Sequence, residues 1–210
     1  MYERVTKSEH RPARSLAHET ITKLHEALRD EYTFYSQYVG SCKWGTVIRD
    51  SDRGFDIDYQ IILTHNSKVF KENGKFDPTK TKKRFMSELQ KILESSRLED
   101  STTAITLNNP DKDFSIDFVI IDGTDDENWK VIRRNNKGSN NEYTWNEMSN
   151  GQGYSQYYGS LKEPEILKLA KKIMNLKVED KKLLEDRRTG SYVLTIQAIK
   201  EHRDRHEHKG

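Results

Sequence analysis

Asp56 and Asp58, two residues apart in Phe55-Asp56-Ile57-Asp58-Tyr59, and Asp117 in Ile116-Asp117-Phe118 are the residues whose types and spacing could do chemistry. Carboxylates crowded into one concave site repel, and a bound divalent cation is the usual resolution. Upstream, Gly40-Ser41 offers a glycine where the main chain can bend closely around a phosphate, with a hydroxyl beside it. A phosphate-binding bend beside three carboxylates is what metal-assisted chemistry on a nucleoside triphosphate requires. Mg²⁺ suits such a set best, with Mn²⁺ the alternative. It is hard, prefers oxygen, and is commonly held by one or two carboxylates together with substrate phosphates.

Pleat geometry places these acids. In Phe55 to Ile61 the apolar residues Phe55, Ile57, Tyr59 and Ile61 alternate with polar ones, so Asp56 and Asp58 share the opposite face of a strand. In Phe114 to Ile121, residues Phe114, Ile116, Phe118 and Ile120 take one face, and Asp117 joins Ser115, Val119 and Ile121 on the other. If the two strands are neighbours, Asp117 stands close to the pair. The plain alternative is a solvated edge-strand face, but aspartate is depleted in strands and here it recurs among strong strand formers. An EF-hand-like calcium loop starting at Asp50 fails on detail. That loop needs an acid or amide at its fifth position and glycine at its sixth, and those places hold Gly54 and Phe55.

The elements that must position these residues follow from periodicity. Ile21, Leu24, Leu28, Tyr32, Tyr35 and Tyr38 recur at helical spacing, which predicts an amphipathic helix over residues 16 to 38 leading into Gly40-Ser41. Asp77-Pro78 reads as an N-cap with proline at the first helical position, opening a helix with Phe85, Leu89, Ile92 and Leu93 inward. A strand near Thr103 to Leu107, the turn Asn108-Asn109-Pro110-Asp111 and the Asp117 strand follow. Together these predict a small mixed α/β (α+β) sheet flanked by helices. Residues from about Asn135 to Ser160, rich in Asn, Gly, Ser and Tyr, read as a long loop leading to terminal helices. Tyr154, Tyr157 and Tyr158 there could stack a nucleobase or simply pack the loop down. His202, His206 and His208 read as part of a solvated tail rather than a metal site.

Composition bounds the function classes. With 210 residues the chain holds one sizeable domain, or a domain with an appendage. A hydrophobic content of 33% and a mean hydropathy of -0.97 predict a small core under a heavily charged surface. A formal net charge of +2 argues against a strongly basic nucleic-acid-binding domain. No apolar stretch is long enough to cross a bilayer, and Met1-Tyr2-Glu3-Arg4 lacks the zones of a secretory signal, so no membrane association and a cytoplasmic location are expected. The single cysteine, Cys42, cannot form an internal disulfide, which agrees with a reducing compartment. It has no obvious His partner nearby in sequence and reads as a bystander rather than a nucleophile.

The segments Val39-Gly40-Ser41-Cys42-Lys43-Trp44-Gly45-Thr46, Phe55-Asp56-Ile57-Asp58-Tyr59 and Ile116-Asp117-Phe118 resemble the polymerase-β-like nucleotidyltransferase superfamily. Within it they are most similar to the branch holding oligoadenylate synthetases and cyclic-oligonucleotide synthases, including bacterial anti-phage enzymes. The resemblance implies a catalytic core over residues 1–135, a linker over 136–160 and a short C-terminal helical part over 161–210. Members of this branch usually continue through a larger helical bundle, so the chain is expected to be a compact member or a piece of a longer protein. The resemblance implies Asp56, Asp58 and Asp117 as catalytic and metal-holding residues, and Gly40 and Ser41 as nucleotide-binding. Lys171, in Ile166 to Met174, and Ser191, in Gly190-Ser191-Tyr192, would contact the triphosphate. Lys172 competes with Lys171 for that role, and a solvated helix face is the alternative for both.

The implied reaction is transfer of a nucleoside monophosphate from a nucleoside triphosphate to a hydroxyl, with pyrophosphate leaving. Three readings follow: a synthase of cyclic or linear oligonucleotide signals, an enzyme that modifies RNA or a protein, and an inert nucleotide- or RNA-binding module. Retention of all three aspartates counts against the last.

Overall fold

The computed structural model describes residues 2–50, 54–93, 98–109, 113–135, 142–148, 157, 159–181 and 191–207. In chain order the elements are β1 (Tyr2–Arg4), α1 (Arg11–Leu28), β2 (Phe34–Tyr38), α2 (Gly40–Trp44), β3 (Ile48–Asp50), β4 (Phe55–Leu63), α3 (Lys68–Asn73) and α4 (Pro78–Leu93). They continue with β5 (Leu98–Asp100), β6 (Ala104–Asn109), β7 (Phe114–Asp122), β8 (Lys130–Asn135), β9 (Glu142–Glu147), α5 (Glu163–Lys181) and α6 (Ser191–Glu207). The mixed α/β class expected from the sequence is the observed one. The chain divides into two units, one of residues 1–10, 40–56 and 150–210, the other of residues 11–39 and 57–149.

The second unit is built on a sheet whose strand order is β2-β4-β7-β6-β5, with β8 paired to β7 and β9 to β8. The pairings β2–β4, β5–β6, β6–β7, β7–β8 and β8–β9 are antiparallel. β4 and β7 run the other way, parallel to each other. They are neighbours, and the Gly123 N–H, one residue past β7, donates to the carbonyl of Leu63, the last residue of β4, at 3.1 Å. Strands whose C-terminal ends meet must point the same way, which requires a crossover between them. α3 and α4 lie in that crossover.

One sheet face is apolar throughout, as the alternation predicts. Phe55, Ile57, Tyr59, Ile61 and Leu63 of β4 and Phe114, Ile116, Phe118 and Ile120 of β7 are all buried. α1 contributes Ala13, Ala17, Ile21, Leu24 and Leu28 at helical spacing, and α4 contributes Phe85 and Leu89. Tyr32 and Phe34 join this core through edge-on contacts with Phe85, at centroid separations of 5.1 and 5.6 Å.

The helix expected over residues 16 to 38 is corrected at both ends. It begins at Arg11 and stops at Leu28, whose carbonyl accepts from the N–H groups of Glu31 and Tyr32. The segment Phe34 to Tyr38 is a strand. Tyr32, Tyr35 and Tyr38 fit a helical period, but burial alternates with period two, with Tyr32 and Phe34 buried and Thr33 and Tyr35 exposed. Aromatic content and pairing with β4 won over the spacing of three tyrosines. The long loop expected from Asn135 to Ser160 is corrected in part. Glu142–Glu147 is β9, in register with β8, and Trp145 Nε1 donates to the Phe76 carbonyl at 2.8 Å. Tyr154 and Tyr158 fall outside the described residues, as does the Pro110-Asp111 part of the expected turn. Asn108 and Asn109 are strand residues of β6.

The first unit pairs β1 with β3 antiparallel, Glu3 opposite Arg49. Ile48 of β3 packs with Leu169 and Ile173 of α5 and Ala198 and Ile199 of α6 in one buried cluster, with Tyr157 against it. Tyr157 Oη lies 2.9 Å from His202 Nδ1. That contact corrects the expectation of a solvated tail, because residues 191–207 are helical and His202 is half-buried beside Tyr157. It also assigns Tyr157 to packing. The side chain of His206, and all of His208, lie outside the described residues.

Candidate active site

Gly40 and Ser41 open α2, a single helical turn. Gly40 has φ 55, a left-handed conformation that costs a side-chain-bearing residue on the order of 1 kcal/mol or more. α2 ends at once, at Gly45 with φ 67, and the Thr46 N–H reaches back to the Ser41 carbonyl at 2.9 Å. This is the glycine-terminated helix end in which a residue beyond the glycine satisfies a carbonyl of the last turn. The Gly45 carbonyl in turn accepts from Arg4 Nε at 3.3 Å and a terminal guanidinium nitrogen at 3.1 Å. Arg4 thereby anchors the segment that carries Gly40 and Ser41. The expected Gly-Ser and Gly-Thr turn is thus a one-turn helix with Gly45-Thr46 as its terminator. Both Gly40 and Ser41 are half-buried, and Cys42 behind them is buried.

β4 carries Asp56 and Asp58 on the face opposite its apolar one, Asp56 exposed and Asp58 half-buried. β7 carries Asp117 on its corresponding face, half-buried between Ile116 and Phe118. The parallel alignment fixes the level of two of these acids. Asp58 stands five residues before Leu63 at the end of β4, and Asp117 five before Asp122 at the end of β7. With those ends adjacent, Asp58 and Asp117 are side by side on one face of neighbouring strands.

That face changes character along the strands. Beyond the acids, Gln60 is buried and takes a hydrogen bond from Gln37 Nε2 at 3.0 Å, and Ile62 and Ile121 are fully covered. Gly123 closes this end tightly, because a Cβ on it would meet Ile62 Cγ2 at 2.4 Å and the Leu63 carbonyl at 3.2 Å. The face is therefore open where the aspartates stand and sealed where they do not.

One partner of Asp117 was not foreseen from the sequence. Thr106 on β6 is directly opposite Asp117 in register, and its hydroxyl donates to Asp117 Oδ1 at 2.6 Å. The only available signal was a threonine between Ile105 and Leu107 in a strand-like run, which says nothing about which strand it faces. Also unforeseen is Lys82 of α4, a fully buried lysine that donates to the Ala104 carbonyl at 2.7 Å and pairs with Asp100 at 3.4 Å. Burial pushes its ammonium below the ordinary lysine range, against the opposing pull of Asp100.

Lys171 lies exposed on α5. Lys172, its rival, is half-buried and ion-paired with Glu201 of α6. Ser191 is the first residue of α6, and its side chain lies outside the described set.

Among the described residues no group of three or more His, Cys, Asp or Glu side chains forms a metal cage. Two acids on one strand face match what Mg²⁺ takes from a protein when substrate phosphates and water complete its shell. No helix among the described residues is long and apolar enough to cross a membrane.

No protein-family model matches the chain, and no curated protein matches it. Solved structures do. The CD-NTase CdnG of Bradyrhizobium diazoefficiens, in complex with GTP, superposes with a TM-score of 0.65 at 13% identity, over 93% of this chain and 66% of that one. The STING-associated CdnE c-di-GMP synthase of Capnocytophaga granulosa gives 0.60 at 18% identity, over 94% and 60%. Vibrio cholerae DncV in its GTP-bound form gives 0.56 at 15% identity, over 93% and 52%. The chain thus spans between about half and two thirds of the length of these proteins. Chains this far apart in sequence share a backbone plan, and that plan is the one the sheet and helices above describe. This chain has the nucleotidyltransferase fold of the CD-NTases.

Proposed function

We propose that this chain is a metal-dependent nucleotidyltransferase that moves a nucleoside monophosphate from a nucleoside triphosphate to a hydroxyl, making a cyclic or linear oligonucleotide messenger. The observation that carries the reading is the open end of the sheet face, where Asp58 and Asp117 stand level on adjacent strands and Asp56 lies two residues before Asp58. None of these three acids belongs to the buried core, and this fold is shared with proteins solved with GTP and described as cyclic dinucleotide synthases.

Asp56 and Asp58 would hold Mg²⁺, or Mn²⁺ in its place, and Asp117 would join them on the acceptor side or take the acceptor's proton. A divalent ion bound there would supply charge neutralisation for the phosphoryl transfer. Ser41 and the backbone around Gly40 bind the β- and γ-phosphate oxygens, and Lys171 and Ser191 add contacts to the same triphosphate. The acceptor oxygen loses its proton and bonds to the α-phosphorus as the bond to the β-phosphate oxygen breaks, releasing pyrophosphate. Positioning and charge stabilisation supply most of the acceleration in such transfers.

Incubating the pure protein with labelled ATP, GTP, CTP and UTP plus Mg²⁺ or Mn²⁺, with products resolved chromatographically, tests the messenger reading. A small oligonucleotide is the expected product, phosphatase-resistant if it is cyclic and trimmed at its terminal phosphates if it is linear. Label found only on the protein or on added RNA would replace the messenger with a macromolecular acceptor.

A further inference from the structure

We propose that Thr106, backed by Ser101, is a positioning residue that fixes how the Asp117 carboxylate presents its oxygens; this rests on the role given to Asp117 above. The register of β6 and β7 sets Thr106 opposite Asp117, and the hydroxyl lies 2.6 Å from Asp117 Oδ1. Ser101 Oγ is 2.7 Å from Thr106 Oγ1. A hydroxyl has one proton and an ionised carboxylate only accepts, so Thr106 gives its proton to Asp117 and receives one from Ser101. The direction of the chain Ser101 to Thr106 to Asp117 is thus determined. Hydrogen bonds to a carboxylate at this length are among the strong ones, and threonine is stiff about χ1. A carboxylate held this way is set before metal and nucleotide arrive.

The support behind Ser101 is equally specific. Asp100 pairs with Lys82 at 3.4 Å and Arg134 at 3.5 Å and accepts a hydrogen bond from the Tyr143 hydroxyl. Lys82 also donates to the Ala104 carbonyl at 2.7 Å. One buried ammonium therefore grips both ends of the β5–β6 connection, at Asp100 and Ala104, and Ser101 lies between them. The connection that carries the donor to Asp117 is pinned from the α4 side.

The test compares Thr106→Val, Thr106→Ser, Ser101→Ala and Asp117→Asn in the full chain. Valine keeps the branched shape and removes only the hydroxyl. The measurements are Mn²⁺ binding by electron paramagnetic resonance with a non-hydrolysable nucleoside triphosphate present, kcat and KM for the nucleotide, and melting temperature. Thr106→Val should weaken Mn²⁺ binding and lower kcat by about 10- to 100-fold, with KM and melting temperature close to wild type. Thr106→Ser should restore most of both, and Ser101→Ala should show a smaller loss in the same direction. Wild-type behaviour of Thr106→Val beside an impaired Asp117→Asn would remove Thr106 from the site and leave the Asp117 assignment intact. Equal impairment in Thr106→Ser and Thr106→Val would also overturn the inference, since the hydroxyl would not be the cause. Wild-type binding and turnover in Asp117→Asn would remove both the Asp117 assignment and the role built on it.

Discussion

The two ends of one sheet face differ more than its two sides do. At the start of β4 the second face carries Asp56, exposed, and Asp58, half-buried; at its end the same face carries Gln60 and Ile62, both buried. β7 repeats the change, from half-buried Ser115 and Asp117 to buried Ile121. The sealed end packs so closely that Gly123 has no room for a methyl group, while the open end keeps carboxylates that contribute nothing to a core. A strand pair that spends one end on cohesion and the other on charge holds its acids on a rigid base. Sites on strands are held more precisely than sites on loops.

If chemistry belongs to the open end and stability to the sealed end, substitutions should separate the two. Asp56→Asn and Asp58→Asn should each lower metal-dependent nucleotide turnover by on the order of 10³-fold or more. Their denaturation midpoints should stay close to wild type, because neither side chain is part of the buried core. Ser41→Ala should raise the KM for the nucleotide about tenfold, the worth of one phosphate hydrogen bond, with kcat little changed. An unchanged KM would remove Ser41 from the phosphate site. Gly123→Ala should cost about 1–3 kcal/mol in urea unfolding through overpacking against Ile62, and the KM should survive. A stable Gly123→Ala with lost turnover would break the division between the ends.

The smallest effect concerns pH. His25 stacks on Phe34 with centroids 3.8 Å apart, and Phe34 is opposite Leu63 at the sealed end. Burial lowers His25 from its ordinary value of 6.5, so the unfolded chain takes up that proton first as pH falls. Its contribution to stability is complete above 6.5 and is lost as pH falls from there toward the lowered value. Melting temperatures of wild type and His25→Phe measured from pH 7 down to about pH 5 should diverge in slope, with the wild type falling more steeply.

The open end was legible in the sequence because alternation survives there. Phe55, Ile57 and Tyr59 are buried and Asp56 and Asp58 are not, as a half-buried strand requires. At the sealed end both faces are covered, so the alternation that would mark Ile61, Ile62 and Leu63 as strand disappears into an apolar run. The tyrosine spacing that suggested a longer first helix misled for a related reason. Three aromatic residues can satisfy two periods, and only tertiary burial chooses between them. Thr106, Ser101 and Lys82 were invisible because each matters through a partner on another element, and strand register is not written in any one segment.

The central claim, that the open end performs nucleotidyl transfer, is tested most directly by pyrophosphate release from each of the four nucleoside triphosphates with Mg²⁺, measured side by side for wild type and Asp58→Asn. Release by the wild type with at least one nucleotide, abolished in a folded Asp58→Asn, is the predicted result. Equal release by both proteins, or none by the wild type with Mg²⁺ or Mn²⁺ and any nucleotide mixture, would contradict it.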